Sequence, residues 1–250
     1  MASSDPVRRS ANPTKFALLL LAVLLSGFLL LQSSLFSIGS VQVQGQRYMS
    51  EEEVLRIAGI GDRINIFRLD TDSIKQRLLQ DLRIADVAIS RRLPGTVIIS
   101  LRERQPVAFI ATSYGFAQLD EAGMVLAAAK SIRQMNAPLI TGHHIGGAYV
   151  GDQIEAPAVL AVLQYLSSLS EPTFRQMSEV HIDAGGNMTG YTVEAIRVKI
   201  GTAEDMAQKA VKTSAIFADS QKSLAQIDYI DVSYATAYVK FKQESELKKF

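Results

Sequence analysis

Phe16 to Leu31 reads FALLLLAVLLSGFLLL, with no charged side chain anywhere in it. Gln32, Ser33 and Ser34 interrupt the run, and Leu35 and Phe36 resume it. From Phe16 to Phe36 is 21 residues. As a helix rising about 1.5 Å per residue, this stretch covers about 31 Å, the thickness of a bilayer's hydrocarbon core. It is apolar on every side, unlike a surface helix, which keeps a polar face. The run therefore predicts a transmembrane helix over residues 16–36. A cleaved signal peptide is the rival reading. Such a peptide has an apolar stretch of about 7–15 residues and a small-x-small cleavage site. This run is longer, and Ser37-Ile38-Gly39 is a poor match to that site.

The flanks give the orientation. Arg8, Arg9 and Lys15 precede the run against Asp5 alone, and the next basic residue is Arg47. The positive-inside bias keeps the N-terminus in the cytoplasm and translocates everything from Val41 onward. Residues 1–15 then form a cytoplasmic tail, and residues 16–36 meet the lipid bilayer.

The exterior shows two patterns. Ser40 to Gly45 alternates apolar and polar residues, as a half-buried strand does. Ser50-Glu51-Glu52-Glu53 is a capping box that opens a helix, with Val54, Ile57 and Ala58 on its apolar face and Gly59 as its stop. Asp70 and Thr71 open a second helix with Ile74, Leu78 and Leu82 in one stripe. Ala85 to Leu93 and Thr96 to Glu103 are alternating strands joined by a Pro94-Gly95 turn. The order is strand, helix, helix, strand, strand. Beyond Pro106 short strands dominate: 107–111, 116–119, 124–127, 138–142, 179–183, 191–195, 197–200, 229–234 and 237–242. Asp120 to Gly123 and Gly185 to Asn187 are turns. Helices are expected over 157–169 and 204–224. Residues 243–250 read as a flexible tail.

Little in the chain suggests chemistry. With 26 basic and 25 acidic residues the formal charge is +1, so nothing points to nucleic acid. The absence of Cys removes disulfides, thiolate catalysis and Cys-ligated zinc. His143 and His144 are neighbours, which a strand would aim at opposite faces, and His181 stands apart. The glycine pairs lack the setting of a phosphate loop, and no nucleophile motif occurs. The reading is no catalysis, no metal, no cofactor and no small-molecule substrate. Arg91, Arg92, Arg102 and Arg104 read as a basic patch across one hairpin. It is either a solvated face or a contact for lipid headgroups or an acidic partner. The last strand, Ser233 to Phe241, carries two Tyr and two β-branched residues. A terminal strand often lies at a sheet edge, where unpaired backbone groups accept a strand from a partner. On this reading Thr236→Pro would delete a ladder donor.

An ordered set of motifs now carries a resemblance. After the apolar run come V-x-V-x-G and the capped helix, then Gly61-Asp62-Arg63-Ile64-Asn65-Ile66-Phe67-Arg68-Leu69-Asp70. Val87 to Val97 and Glu103-Arg104-Gln105-Pro106-Val107-Ala108 follow. This part resembles the POTRA domain of the FtsQ/DivIB cell-division proteins. Leu119 to Leu126, Ala137 to Gly142, Val198 to Gly201 and Tyr229 to Tyr234 resemble the same family's β-domain. Two features depart from the pattern. Leu82-Arg83-Ile84 stands where a Pro and an aromatic are usual, and the N-terminal tail is very short.

The resemblance implies an α+β chain: a single N-terminal transmembrane helix, a β-α-α-β-β POTRA domain (37–106), then a mixed β-sheet domain with flanking helices (107–242). It implies a non-enzymatic scaffold of the bacterial division complex, in the cytoplasmic membrane at the septum. The implied partners are FtsL-like and FtsB/DivIC-like bitopic proteins. By position, the partner-binding residues are Tyr234, Ala235, Thr236, Ala237, Tyr238, Val239 and Lys240. The competing reading is a POTRA-type transport or chaperone component of the cell envelope.

Overall fold

The computed structural model of the chain describes residues 13–61, 64–132, 137–220 and 224–242. Most of the expected cytoplasmic tail, the expected tail at 243–250, and Asp62 and Arg63 of the quoted motif lie outside these residues. The chain divides into two compact units, Met1–Glu103 and Arg104–Phe250.

The apolar run forms α1 (Pro13–Leu31). Its stretch Thr14–Leu31 has a mean hydropathy of 2.3 with none of it buried, and the helix is long and apolar enough to cross a membrane. It is shorter than the expected 16–36. The polar trio Gln32-Ser33-Ser34 offers the backbone alternative hydrogen bonds, and the helix stops before it. Leu35 and Phe36 fall in a 3-10 turn, Ser34–Phe36. The Phe36 ring instead meets Phe67, with centroids 5.2 Å apart.

The rest of the first unit follows the expected order. It contains β1 (Ser40–Gln44), α2 (Glu51–Ala58), α3 (Thr71–Leu79), β2 (Ile84–Arg92) and β3 (Thr96–Glu103). The sheet order is β1-β3-β2, with β1 parallel and β2 antiparallel to β3. Ser50 Oγ accepts the Glu53 N–H at the start of α2, and Gly59 ends it at φ 60°. Asp70 accepts the Asp72 and Ser73 N–H groups at the start of α3. Val54, Ala58, Ile74 and Leu78 pack on Val43, Val87, Val97, Ile99 and Leu101. Leu82 does not complete the expected stripe. The helix ends at Leu79, and Leu82 is exposed in the turn that follows.

Glu103 continues the inward face of β3 and is buried. Its carboxylate accepts the backbone N–H groups of Arg47 (2.9 Å), Tyr48 (3.0 Å to Oε2) and Met49 (2.9 Å). Burial works against its charge, but the N–H groups of Met49, Arg47 and Tyr48 outweigh it, and the carboxyl stays below the usual carboxylate range. A carboxylate thus anchors the loop that leads into α2. Glu103→Gln turns an amide NH₂ toward these donors and should cost about 1.5–3 kcal/mol, the worth of hydrogen bonds to a charged group. Because the folded pKa is depressed, this stabilisation is complete above the unfolded value near 4.3 and fades as pH falls below it. Thermal melts of the two proteins should therefore differ at neutral pH and converge in acid.

The second unit contains β4 (Ala108–Thr112), β5 (Gly115–Leu119), β6 (Val125–Ala129), β7 (Leu139–Ile145), α4 (Pro157–Ser167), α5 (Glu171–Phe174), β8 (Met177–Ile182), β9 (Met188–Thr192), β10 (Arg197–Gly201), α6 (Met206–Asp219), β11 (Ile227–Asp231) and β12 (Tyr238–Phe241). One nine-stranded sheet runs β12-β11-β10-β9-β8-β7-β4-β5-β6. β7 and β8 are parallel neighbours, as are β10 and β11. Parallel neighbours need a crossover, supplied here by α4–α5 and by α6. β8 and β10 are each antiparallel to β9, so both crossovers start from strands of one direction and step the same way along the sheet. The right-handed rule then places α4 and α6 on the same face. There Tyr165 of α4 donates to Thr213 of α6 at 2.9 Å, both fully buried.

Several element bounds shift by a few residues, β11 from 229–234 to 227–231 and α6 from 204–224 to 206–219 among them, and two departures go further. α5 has no sequence counterpart in the reading. β9 lies three residues earlier than 191–195, because the turn before it returns the chain at once and residues 193–195 are needed for the next reversal, where Ala195 takes φ 62°.

Candidate protein-interaction edge

β12 ends the nine-stranded sheet. It pairs antiparallel with β11, matching Ile230 to Val239 and Asp231 to Tyr238, and among the described residues no strand pairs with its other side. Lys242 donates its N–H to Gln226 O at 2.7 Å, toward β11. Backbone donors alternate in direction along a strand. The Lys240 and Tyr238 N–H groups therefore point toward β11, and those of Val239 and Phe241 point away.

The expected partner-binding segment divides in two here. Tyr238, Val239 and Lys240 lie on β12. Tyr234, Ala235, Thr236 and Ala237 do not, since they form the loop between β11 and β12. The loop has its own fastenings. Lys212 Nζ of α6 donates to the Ala235 carbonyl at 2.8 Å and to the Tyr234 carbonyl at 3.3 Å. Asp231 Oδ1 accepts from Ser233 N–H and Oγ–H. Thr236 thus lies outside the ladder and has no ladder donor to lose, while Phe241, left out of the expected set, is on the edge strand and 51% exposed.

Beside this edge lies a basic and aromatic cluster that sequence reading did not assemble. On the sheet face away from α4 and α6, Lys199 Nζ sits 4.1 Å from the Tyr229 ring centroid. Lys240 Nζ and Arg197 Cζ lie 5.6 and 5.9 Å from it. The Tyr238 ring is 6.2 Å away. Asp228 accepts from Arg197 at 3.0 Å and pairs with Lys240 at 3.2 Å. The Lys240 ammonium and the Arg197 guanidinium hold its carboxyl below the usual carboxylate range. A register shift between Ile227 and Tyr229 lets the adjacent residues Asp228 and Tyr229 share these partners. The strand expected at 197–200 gives the alternation of Arg197 and Lys199; nothing in the sequence marks the bulge.

Arg91, Arg92 and Arg102 do not form one patch on the hairpin. Arg91 donates to Leu69 O at 2.7 Å. Arg92 pairs with Thr96 at one end of the hairpin and Arg102 with Asp86 at the other. Arg104 belongs to the second unit, where Nη1 donates to the buried Asp120 at 2.5 Å. Strand alternation and the length of the hairpin separate Arg91, Arg92 and Arg102. His181 Nδ1 lies 2.9 Å from the Thr141 hydroxyl, which itself donates to Glu179. Among the described residues no group of three His, Cys, Asp or Glu is placed to hold a metal.

Residues 36–104 match the family described as "POTRA domain, FtsQ-type", and residues 108–233 match "Cell division protein FtsQ/DivIB, C-terminal". The cell division protein FtsQ of Geotalea daltonii is 26% identical over 237 residues, covering 92% of this chain and 86% of that protein. The cell division protein DivIB of Clostridium acetobutylicum is 26% identical over 201 residues, covering 80% of each. The solved extracytoplasmic domain of the trans isomer of DivIB from Geobacillus stearothermophilus is 22% identical over 49% of this chain and 98% of that one, with a TM-score of 0.33.

Proposed function

Because the chain belongs to the FtsQ/DivIB family of cell-division proteins, we propose that it is a membrane-anchored, non-catalytic scaffold of the bacterial divisome. α1 crosses the cytoplasmic membrane with its N-terminus inside, which the basic residues Arg8, Arg9 and Lys15 support. A POTRA domain over 37–106 and a β-domain over 107–242 stand outside, and the whole gathers at the division septum. The partners are FtsL-like and FtsB/DivIC-like bitopic proteins, which reach these domains by diffusing in the same membrane.

The observation that carries this reading is the outer side of β12, on which no strand pairs among the described residues. A partner segment that adds there as a tenth strand gains main-chain hydrogen bonds from Val239 and Phe241. Its alternate side chains would lie beside Tyr238 and Lys240 of β12, with the Tyr229 ring behind them on β11, a face that favours aromatic and acidic residues. The loop Tyr234–Ala237 flanks the entry to this edge. A transport or chaperone role is not favoured, since the curated relatives are named for cell division.

A fluorescent fusion of the full chain tests the cellular reading. A band at mid-cell that appears with constriction is expected. Uniform membrane fluorescence through the division cycle would contradict a septal role.

A further inference from the structure

The end of α1 is stitched to the first unit. The last carbonyls of a helix have no partner within it. Here Asn65 Nδ2 donates to Leu31 O at 2.8 Å, and Arg68 Nη2 donates to Gln32 Oε1 at 2.8 Å, placing a cation at the negative end of the helix. Ser37 bridges to Asn65, Ile38 donates to Ile64 O at 2.9 Å, and Gly39 donates to Gly95 O at 2.9 Å. Three segments therefore meet where the apolar helix stops: residues 34–39, residues 64–68, and the β2–β3 turn at 93–95.

This end of the unit has a distinctive surface. Among the described residues 35–103, the exposed large hydrophobic side chains are Leu35, Tyr48, Phe67, Leu79, Leu82 and Leu93. Leu35, Phe67 and Leu93 all belong to the three segments at the helix end. Arg68 and Arg92 are exposed beside them, and Arg91 reaches Leu69 O from the same hairpin tip. A polar pocket of about 480 Å³ opens among Gln32, Ser34, Ser37, Ile64, Asn65 and Arg68, within the size range of ligand sites. Exposed apolar residues scattered singly need no explanation. Three gathered with cations at the mouth of a membrane-spanning helix do.

Depth selects the occupant. The 16 uncharged residues Phe16–Leu31 extend about 24 Å, most of the roughly 30 Å of a hydrocarbon core. Leu31 then lies near the outer boundary of the apolar layer, and whatever touches Leu31 and Gln32 sits where acyl chains meet headgroups. We infer that this end of the first unit is an interfacial foot. Leu35, Phe67 and Leu93 enter the headgroup and acyl boundary, and Arg68 and Arg92 meet lipid phosphates. Interfacial apolar side chains ringed by Arg behave this way on membrane surfaces. The foot would hold the unit at a fixed height and tilt rather than on a swinging tether. This inference rests on the membrane-anchored reading of α1.

The chain has no Trp, so one introduced indole reports one place. Full-length Phe67→Trp, Leu93→Trp, Leu24→Trp and Tyr48→Trp would be reconstituted in phosphatidylethanolamine/phosphatidylglycerol nanodiscs. Lipids spin-labelled at shallow or deep positions would quench the emission. Tyr48 lies at the far end of β1 and serves as the exposed reference. The foot predicts blue-shifted emission for Phe67→Trp and Leu93→Trp, most of it lost to shallow labels, and a deep-label loss for Leu24→Trp. Leu24→Trp quenched by deep labels while both foot positions emit like Tyr48→Trp would overturn the foot and leave the anchor standing. Leu24→Trp untouched by deep labels would overturn the anchor, and the foot with it.

Discussion

Val239→Pro is expected to weaken partner capture tenfold or more while the second unit still folds. The Val239 N–H is directed away from β11, so proline removes a donor that the sheet does not use. Edge strands tolerate proline at such positions. A partner strand, however, loses one main-chain hydrogen bond and meets the pyrrolidine ring. A carbonyl acceptor of the partner left unmatched in a formed interface costs about 1–3 kcal/mol, and 1.4 kcal/mol is a factor of ten in affinity. Lys240→Pro is the contrast: its N–H faces β11, so it should lower the melting temperature as well. Thr236→Pro, in the loop, should leave the ladder and the capture intact. Dissociation constants with the bitopic partner, together with thermal melts, check all three. Unchanged affinity in a folded Val239→Pro protein would remove strand addition from the account.

Asp120→Ala is expected to be the most damaging single change in the second unit. The Asp120 side chain is 3% exposed and its partner Arg104 17%. It also accepts the Ala122 N–H at 3.0 Å and the Met124 N–H at 2.7 Å, which shape the turn between β5 and β6. Removing the carboxylate leaves a largely buried guanidinium and two backbone donors without their acceptor. Breaking a buried pair from one side costs about 3–5 kcal/mol, a fall in melting temperature of about 10 °C for a unit of this size. Asp120→Asn keeps an acceptor for the turn and should lose less. Melting curves of the two variants decide the point, and equal, small losses in both would mean the charge contributes nothing.

How much of this was legible depended on whether local sequence or distant partners decide each feature. The helix α1 was visible because a run of sixteen uncharged, mostly apolar residues needs no tertiary help. Its end was not, because Phe36 is claimed by Phe67, thirty-one positions away. The caps at Ser50 and Asp70 were readable from side-chain chemistry beside each helix start. Glu103 and Arg104 were noticed as a motif, but their tasks were hidden. One gathers the N–H groups of residues 47–49 and the other pairs with Asp120, each within its own unit. Within the first unit, Arg92 and Arg102 lie at opposite ends of the β2–β3 hairpin, a separation that a count of nearby arginines does not reveal.

At the candidate edge, Tyr234 to Val239 all have strand-like or small side chains, so composition could not locate the turn. Lys212 of α6 does so by holding the Tyr234 and Ala235 carbonyls. The basic and aromatic cluster around Tyr229 depends on β10, β11 and β12 lying side by side and on a bulge at Asp228. Alternation within one strand carries no sign of its neighbours.

The central claim is that β12 accepts a partner strand through its outer backbone donors. Residue-resolved hydrogen exchange of the second unit, with and without the bound partner, measures this directly. The Val239 and Phe241 amides, exchanging freely alone, should become protected on binding, while the Tyr238 and Lys240 amides, already bonded to β11, change little. Partner bound at saturation with Val239 and Phe241 still exchanging freely would contradict it.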